Sequence, residues 1–358
     1  MSSASISYRC TACGTKVVES GASLVCSECS ADYPIVNGVP DFVGGSDGWD
    51  FGSTRQQLDL LEAARKLGWK QAIEHVYKNP TQAAWLTDRS RGRACRLTDL
   101  MPEGRALDVG CGWGVLSLFL SEMCSEVHSI DITSAALEFL SVRSAEEGIS
   151  HLHPARVDLM RANPFSEESF DLVVLNGVLE WIPEYHSGNP STVQRRFLHR
   201  CLSLLRPGGQ LLLGIENRTG FPYFMGYPEE HSRLPWVSLL PRVLADGWSR
   251  AKRGRDYRTY THTPARLQAL VTSVGFRNLS LHFPWKSYRA PEEVFSKGQD
   301  LEIWEALSAA LRERLPVAAA RSLQALPHAA LRRLTVRAFT SLLAPSLYLI
   351  ARRPQAEV

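Results

Sequence analysis

The sequence has no long hydrophobic run, few cysteines and almost no net charge. In its 358 residues no apolar stretch reaches the ~18 residues of a membrane-spanning helix, and residues 1–7 lack the basic start and apolar core of a signal peptide. Eight cysteines do not make a disulfide scaffold in a chain of this length. Forty basic against 37 acidic side chains give no overall signature of nucleic-acid binding. We therefore expect no transmembrane segment and a location in a reducing cytoplasm.

What the sequence does contain is an apolar strand that runs directly into a glycine-rich turn and then a helix. Residues 106–114 read Ala-Leu-Asp-Val-Gly-Cys-Gly-Trp-Gly, and an apolar helical segment begins at Val115. The short apolar side chains at the start are typical of a central parallel strand. Gly110, Gly112 and Gly114 allow the backbone to approach a ligand where a side chain would block it. The stretch therefore predicts a ligand-binding turn.

A dinucleotide-binding fold is the main alternative for this turn. That fold has a third glycine three residues after the second, which packs helix against strand beside a pyrophosphate. Val115 occupies that position here, and Asp108 lies inside the motif, where its carboxylate can accept a hydrogen bond from a cationic amino group. Both departures favour a nucleoside that carries a charged amino acid.

The turn and four later segments resemble, in register, the class I S-adenosylmethionine (SAM) methyltransferases. The turn is similar to their motif I. Predicted strands then end at Asp131, Asp158 and Asn176, and a Pro-Gly-Gly turn leads into a fifth strand at 205–214. The resemblance covers roughly residues 100–285 and returns in the last strand. It implies an α/β fold, a seven-stranded Rossmann-like sheet with helices on both faces, and SAM as the cofactor.

The same resemblance assigns the cofactor-binding residues. Asp131 ends the second strand, where the family uses an acid to hold both ribose hydroxyls, and Asp158 matches the acid near the adenine amino group. The implied cofactor contacts are Asp108, Gly110, Cys111, Gly112, Gly114, Asp131, Ile132, Asp158, Leu159 and Asn176.

Four of the cysteines form two CxxC pairs near the start of the chain. Four thiolates around one cation suit a closed, structural Zn²⁺ site with no open position for water. A redox CxxC would not explain two copies outside a βαβ unit.

The run at 33–42 resembles the Trm112-like zinc ribbon, a module found beside methyltransferase domains. Acids outnumber bases before Asp50, so we expect this module to dock or stabilise rather than bind a phosphate backbone. The predicted metal ligands are Cys10, Cys13, Cys26 and Cys29.

The chain divides into four predicted parts. A zinc ribbon occupies residues 1–45, and a linker and N-terminal helices occupy 46–100. The methyltransferase core covers 101–290 and returns at 342–358, on either side of a helical insertion at 291–341. That insertion is rich in Ala, Leu and Arg, which suits a dimer face, a membrane-surface face, a lid or ordinary packing. The sequence allows either a homodimer or a partner protein that docks on the ribbon or on the insertion.

A long aromatic loop follows the predicted fifth strand, at residues 216–231. Loops of this length in a compact domain tend to be functional. Its sequence resembles, more weakly, a subgroup of bacterial methyltransferases associated with sugar and polysaccharide assembly. His231 lies beside two acids and is the predicted general base, with an ordinary surface histidine as the alternative. Glu216, Glu180 and His262 are the further candidates.

The sequence narrows the methyl acceptor without naming it. Asn176-Gly-Val-Leu stands where exocyclic amino methylases of bases have an Asn/Asp-Pro-Pro-aromatic run. Cys201 lies in a predicted helix, away from the position of the nucleophile in pyrimidine C5 methylases. We therefore expect O- or N-methylation of a small molecule or glycan, with no nucleic-acid partner. Two alternatives are an RNA methyltransferase whose zinc ribbon binds RNA, and a non-catalytic SAM-binding subunit.

Overall fold

Two β-sheets form the framework of the molecule. The computed structural model describes residues 7–44, 55–314 and 328–355. The N-terminal sheet has four antiparallel strands in sequential order: β1 (Val17–Ser20), β2 (Ser23–Cys26), β3 (Asp32–Val36) and β4 (Val39–Pro40). The large sheet consists of β5 (Arg105–Val109), β6 (Glu126–Asp131), β7 (Leu152–Arg156), β8 (Phe170–Asn176), β9 (Leu205–Glu216), β10 (Arg277–Pro284), β11 (Val294–Ser296) and β12 (Ser346–Arg352). In space its order is β11-β10-β12-β9-β8-β5-β6-β7.

Helices precede the large sheet and connect its parallel strands. They are α1 (Arg55–Leu67), α2 (Trp69–Val76), α3 (Pro80–Thr87), α4 (Val115–Ser121), α5 (Ser134–Glu146), α6 (Ile182–Tyr185), α7 (Pro190–Leu204), α8 (Phe221–Phe224), α9 (Arg242–Arg253), α10 (Pro264–Val274), α11 (Asp300–Arg314) and α12 (His328–Ala338). A 3₁₀-helix spans Arg89–Leu97 and a π-helix Phe339–Leu343. In the described residues no helix has both the length and the apolar character needed to cross a bilayer.

The centre of the large sheet is closed to solvent because its strands are parallel and covered. β5 pairs in parallel with β6 and β8, and β8 pairs in parallel with β9. Leu107 of β5, Val173 of β8 and Leu213 of β9 are fully buried. Strands buried on both faces appear as continuous apolar runs, which is why the sequence predicts them well.

The strand order reverses at β5, and this reversal fixes where a ligand can bind. From β5 the chain proceeds outward through β6 to β7, then returns to place β8 on the other side of β5. In open α/β sheets the loops on either side of such a switch point diverge, and they leave a crevice at the carboxyl ends of the strands.

The large sheet has eight strands in the described residues, where the sequence predicts seven. The additional strand β11 pairs antiparallel with β10, with Phe295 opposite Phe283. The predicted helical insertion at 291–341 therefore begins with a strand, and α11 and α12 follow it. Its middle, residues 315–327, lies outside the described residues, as does most of the predicted linker before Arg55.

The third core strand ends earlier than predicted. β7 covers Leu152–Arg156, so Asp158 lies in the turn after the strand and not at its end. Pro154 within β7 obscures the strand in the sequence. Proline is accommodated here because β7 is the last strand of the sheet and pairs in register with β6 alone.

The N-terminal sheet packs against this edge of the large sheet. The backbone N–H of Phe42 donates to the carbonyl of Arg156 over 2.9 Å. The Arg156 guanidinium forms an ion pair with Asp41, with 2.9 Å between Nη1 and Oδ2. The rings of Tyr8 and Phe165 meet with centroids 5.7 Å apart. The N-terminal segment thereby covers backbone that an edge strand would otherwise leave unpaired.

Candidate functional site

The carboxyl ends of β5, β6 and β8 border a cavity of about 290 Å³. It lies at the switch point of the sheet, where ligands bind in open α/β folds. Its walls are formed by Gln57, Val109, Gly110, Gly112, Trp113, Asp131, Ile132, Thr133, Ala136, Val157, Asp158, Leu159, Gly177, Val178, Trp181, Ile182, Tyr185, His186 and Phe197.

The three glycines of the turn have different surroundings. All have positive φ, which favours glycine at each position. A Cβ at Gly110 would come within 2.5 Å of Val178, and one at Gly114 within 2.3 Å of Leu140. A Cβ at Gly112 would meet no atom within 4 Å in the described part of the chain. Gly110 and Gly114 therefore allow close packing, whereas Gly112 leaves its backbone open beside the cavity.

Asp131 is fixed at the cavity wall by three backbone N–H groups. Its Oδ2 accepts from Gly112 over 2.9 Å. Its Oδ1 accepts from Ile132 over 2.8 Å and from Thr133 over 2.9 Å. A carboxylate held in this way keeps lone pairs for further donors, such as the paired hydroxyls of a ribose.

Asp158 and Leu159 form another part of the wall. The Asp158 Oδ1 accepts from the backbone N–H of Met160 over 2.9 Å and lies 3.6 Å from Nε2 of His186. Its Oδ2 lies 3.3 Å from Nε of Arg161. These contacts orient the carboxylate beside the cavity, in the region where the resemblance predicts the adenine amino group.

Four of the predicted cofactor residues do not line the cavity: Asp108, Cys111, Gly114 and Asn176. Asp108 is only 2% exposed and accepts a hydrogen bond from Ser117 Oγ of α4 over 2.6 Å. Burial raises the pKa of its carboxyl to about 7. The structure therefore places the Asp108 carboxyl against α4, behind the wall of this cavity.

In the aromatic part of the wall, the sequence singles out Trp181 alone, as a residue that either caps the fourth strand or stacks near the adenine. Trp113 belongs to the glycine turn, and Trp181 and Tyr185 follow β8 with ring centroids 6.3 Å apart. Their positions directly after the carboxyl ends of strands were the available signal. Aromatic walls of this kind bind flat rings and exclude water.

A second group of polar side chains meets around His231, next to Trp181. The two rings are edge-on with centroids 4.4 Å apart. Nδ1 of His231 is hydrogen bonded to Glu229. Its Nε2 lies 3.7 Å from Glu180 Oε1 and 3.8 Å from Glu216 Oε2. We call Glu180, Glu216 and His231 the acid–imidazole cluster; the structure brings these three predicted catalytic residues together.

The topology of the sheet explains this meeting. Glu180 follows the end of β8, and Glu216 is the last residue of the neighbouring strand β9. His231 comes from the long loop after β9. Adjacent parallel strands end at the same edge of a sheet, so side chains that follow them converge there.

Burial and like charge perturb the cluster strongly. Burial acts to lower the pKa of His231, but the carboxylates of Glu180, Glu229 and Glu216 outweigh it and raise that pKa to about 11. Burial, and then the charge of Glu180, raises the pKa of Glu216. This arrangement favours the charged imidazolium form of His231.

Two residues from the loop after β10 complete the surroundings of Glu216, and sequence reasoning missed them. Tyr288 donates its hydroxyl to Glu216 Oε1 over 2.9 Å. Arg289 donates Nη2 to the same oxygen over 2.7 Å, and its Nη1 pairs with Glu230 over 2.5 Å. These residues lie some seventy positions away from Glu216 in the sequence, so no local sequence pattern predicts the contact.

His262, the remaining candidate base, belongs to a different part of the molecule. It is 7% exposed, and its Nε2 is hydrogen bonded to Gln194 Oε1 over 2.8 Å. Burial, together with Arg242, Arg218 and other nearby guanidinium groups, lowers its pKa to about 3. It is thus a neutral, internally bonded side chain, and the structure does not bring it to the acid–imidazole cluster.

Comparison with known proteins agrees with this geometry. A family model described as "Methyltransferase domain" matches residues 107–213. A ubiquinone biosynthesis O-methyltransferase of Parvibaculum lavamentivorans is 30% identical over 190 residues, which are 49% of this chain and 71% of the relative. One of Xanthomonas euvesicatoria is 34% identical, covering 51% of this chain and 68% of the relative. This chain belongs to the class I SAM-dependent methyltransferases.

Solved structures resemble this methyltransferase more distantly. The crystal structure of the [4+2]-cyclase SpnF superposes with a TM-score of 0.45 at 20% identity, covering 77% of this chain and 83% of the other.

The four cysteines of the N-terminal sheet lie close together in this methyltransferase. Cys10 and Cys29 have sulfurs 3.4 Å apart, as do Cys13 and Cys26, and all four sulfurs lie within 4.8 Å of one another. Sulfurs at about 2.3 Å from a tetrahedral zinc ion are roughly 3.8 Å apart, so this set fits the metal. Although burial opposes it, a hydrogen bond with Tyr33 is the main cause that lowers the pKa of Cys10 to about 6, which favours the thiolate.

Proposed function

We propose that this methyltransferase transfers the methyl group of SAM to an oxygen or nitrogen of a small-molecule or glycan acceptor. The main observation in support of this proposal is that Trp181 lines the cofactor cavity and also contacts His231 of the acid–imidazole cluster. A cofactor site and a group able to handle protons are thereby adjacent. The relatives named ubiquinone biosynthesis O-methyltransferase support an oxygen of a small molecule as the acceptor.

The wall of the cavity suits SAM. Asp131 would bind the ribose hydroxyls, and Asp158 with Leu159 would border the adenine. The open backbone at Gly112 leaves room for the amino-acid part. When bound, SAM supplies an electrophilic methyl group. The indole of Trp181 keeps water from the site, which favours the acceptor as the nucleophile.

The acid–imidazole cluster would handle the acceptor proton. A hydroxyl acceptor must lose its proton during transfer, and a carboxylate can receive it. Both oxygens of Glu180 are buried without a hydrogen-bond partner among the described residues, which makes Glu180 a candidate base alongside Glu216. His231, which the sequence predicts as the base, would as an imidazolium hold these carboxylates in place.

We also propose that Cys10, Cys13, Cys26 and Cys29 hold a structural Zn²⁺. Their polar neighbours support a docking role for this module. Asp41 pairs with Arg156 over 2.9 Å, and Asn37 donates to Glu138 over 2.8 Å. These two groups of the module are engaged with β7 and α5, which supports docking over the RNA-binding alternative.

A transfer assay tests the function. SAM with a radiolabelled methyl group is supplied with three acceptor pools: phenolic small molecules, glycans and total RNA. We expect label in one of the first two pools and none in RNA. Label in RNA would replace this proposal by the RNA alternative. SAM binding without transfer to any pool would identify a non-catalytic SAM-binding subunit.

A further inference from the structure

The acid–imidazole cluster contains more unpartnered ligand atoms than a proton-transfer site needs. Both oxygens of Glu180, Oε2 of Glu216 and Nε2 of His231 are buried without a hydrogen-bond partner in the described ranges. The three side chains are between 0% and 3% exposed. Buried polar atoms are almost always paired, so four together indicate a missing binding partner. Their ligand atoms all lie within 4.8 Å of one another.

The orientation of His231 points to the kind of partner. Glu229 binds Nδ1, and the carboxylate of Glu229 is itself held by the backbone N–H of Ser232 over 2.7 Å. This leaves Nε2 directed at Glu180 and Glu216. Histidine ligands of metal ions are oriented in just this way, with one ring nitrogen on a carboxylate and the other on the metal.

Glu216 is likewise held by outer hydrogen bonds that leave one of its oxygens directed into the cluster. Tyr288 and Arg289 both bind its Oε1, over 2.9 and 2.7 Å. Its other oxygen, Oε2, is left for the interior of the cluster. Outer contacts of this kind fix carboxylate ligands around metal ions.

The buried negative charge around His231 also favours the binding of a cation. Glu180, Glu216 and Glu229 are three buried carboxylates. Of these three, Glu216 contacts the guanidinium of Arg289, which is 40% exposed and is shared with Glu230. Even with the imidazole of His231 protonated, these three carboxylates outnumber the positive charges beside them, and buried charge without compensation is costly.

We propose that Glu180, Glu216 and His231 bind one divalent metal ion. Two carboxylates and one imidazole suit Mn²⁺ and neighbouring transition metals. Ligands at about 2.1 Å from a metal are roughly 3.0–3.4 Å apart, so the observed 3.7 and 3.8 Å require the side chains to move inward by less than about 1 Å. The metal takes the place of the proton on Nε2.

Three protein ligands leave coordination positions for an acceptor oxygen. The cation would lower the pKa of a bound hydroxyl, and the second oxygen of Glu180 would receive the proton. The resulting oxygen would attack the methyl carbon as the bond from that carbon to sulfur breaks. This role rests on the proposed function, whereas metal binding rests on the geometry alone. Vicinal hydroxyls, which chelate a metal through two oxygens, are the acceptor class that this site favours.

Manganese binding to the full chain tests the proposal. After treatment with a chelator, Mn²⁺ is titrated and the free ion is followed by electron paramagnetic resonance. The cysteine sulfurs of the N-terminal sheet are soft ligands and do not favour Mn²⁺. We expect about one bound equivalent in the wild type, and at least tenfold weaker binding in His231→Gln and in Glu180→Gln. Glu62→Gln, at an exposed acid of α1 that pairs with Lys66, is the control and retains the affinity.

The other outcomes are also decisive. SAM affinity measured by calorimetry shows that each variant is folded, and Mn²⁺ raises the Tm of the wild type but not of the two variants. Failure of the wild type to bind Mn²⁺ or Co²⁺ overturns the proposal and leaves a network that shares protons. Binding that persists in both folded variants places the metal elsewhere and also overturns it. Metal binding without methyl transfer to any acceptor upholds the metal site and rejects the proposed function.

Discussion

At the scale of single residues, the state of a carboxyl group depends on what surrounds it. Asp131 and Asp108 lie in neighbouring strands, yet Asp131 accepts three backbone hydrogen bonds at a cavity, whereas Asp108 is buried against Ser117. The sequence assigns both to the cofactor through the resemblance. Their positions along the strands differ: Asp131 is the last residue of β6, at the cavity, whereas Asp108 lies inside β5 and is covered by α4.

Asp131→Ala should weaken SAM binding at least tenfold. A charged hydrogen bond to a ligand contributes roughly 1.5–3 kcal/mol, and removal of the side chain also frees the N–H of Gly112 and Thr133. Isothermal titration calorimetry measures the change. Asp59→Ala, at an exposed position of α1, is the control and should bind as the wild type does. An Asp131 variant of unchanged affinity would remove this residue from the cofactor site.

Asp108 should make stability depend on pH. Its pKa is raised from the usual range to about 7, because burial disfavours the charged form. The folded protein thus holds a proton that the unfolded chain releases above about pH 4, so this residue costs stability increasingly as pH rises from 4 to 7. We expect Asp108→Asn to gain Tm relative to the wild type between pH 5 and 8. A constant difference across that range would contradict this.

His231→Ala should lower turnover by about 10²-fold or more and leave SAM affinity nearly intact. The imidazole orients two carboxylates of the acid–imidazole cluster and does not line the cofactor cavity. Steady-state kinetics and calorimetry separate the two effects. His75→Ala, at an exposed position of α2, is the control. If the His231 variant keeps turnover within a few-fold, the acceptor needs no help from this ring.

At the scale of elements, the apolar run before the glycine turn predicted β5, and the resemblance to the family predicted the parallel strands that follow it. The predictions failed where composition and structure disagree: Pro154 obscures β7, and β11 is a strand of three residues within a segment rich in helix formers. The sequence placed His231 beside two acids, and Glu229 does contact it. Tyr288 and Arg289 could not be predicted, because only the pairing of β10 with β12, and of β12 with β9, carries them to Glu216.

The N-terminal sheet should depend on its metal. We expect the purified protein to contain close to one equivalent of zinc, because four sulfurs converge within 4.8 Å. Cys26→Ser should lose the zinc and leave the N-terminal strands open to hydrogen exchange. Elemental analysis and exchange mass spectrometry test this. Disulfides between these cysteines, or a protein free of zinc, would refute the assignment.

At the scale of the whole molecule, the large sheet is protected at both edges. On one side β11 extends it by a short antiparallel strand, and on the other Asp41 and Phe42 contact the end of β7. Long unprotected edges invite pairing with other chains. The N-terminal module is therefore part of the packing of the sheet and not an appendage.

The side chain of Arg156 connects the N-terminal sheet to the wall of the cofactor cavity. Arg156 binds Asp41 with Nη1 and donates Nε to the carbonyl of Ile132, which lines the cofactor cavity, over 2.9 Å in each case. Thermodynamic linkage then requires reciprocity: if zinc strengthens SAM binding through this arginine, SAM strengthens zinc binding by the same factor. Zinc should resist a competing chelator better with SAM present, and Arg156→Ala should abolish that difference. The affinity for SAM would thus depend on whether the zinc-binding N-terminal sheet is correctly folded.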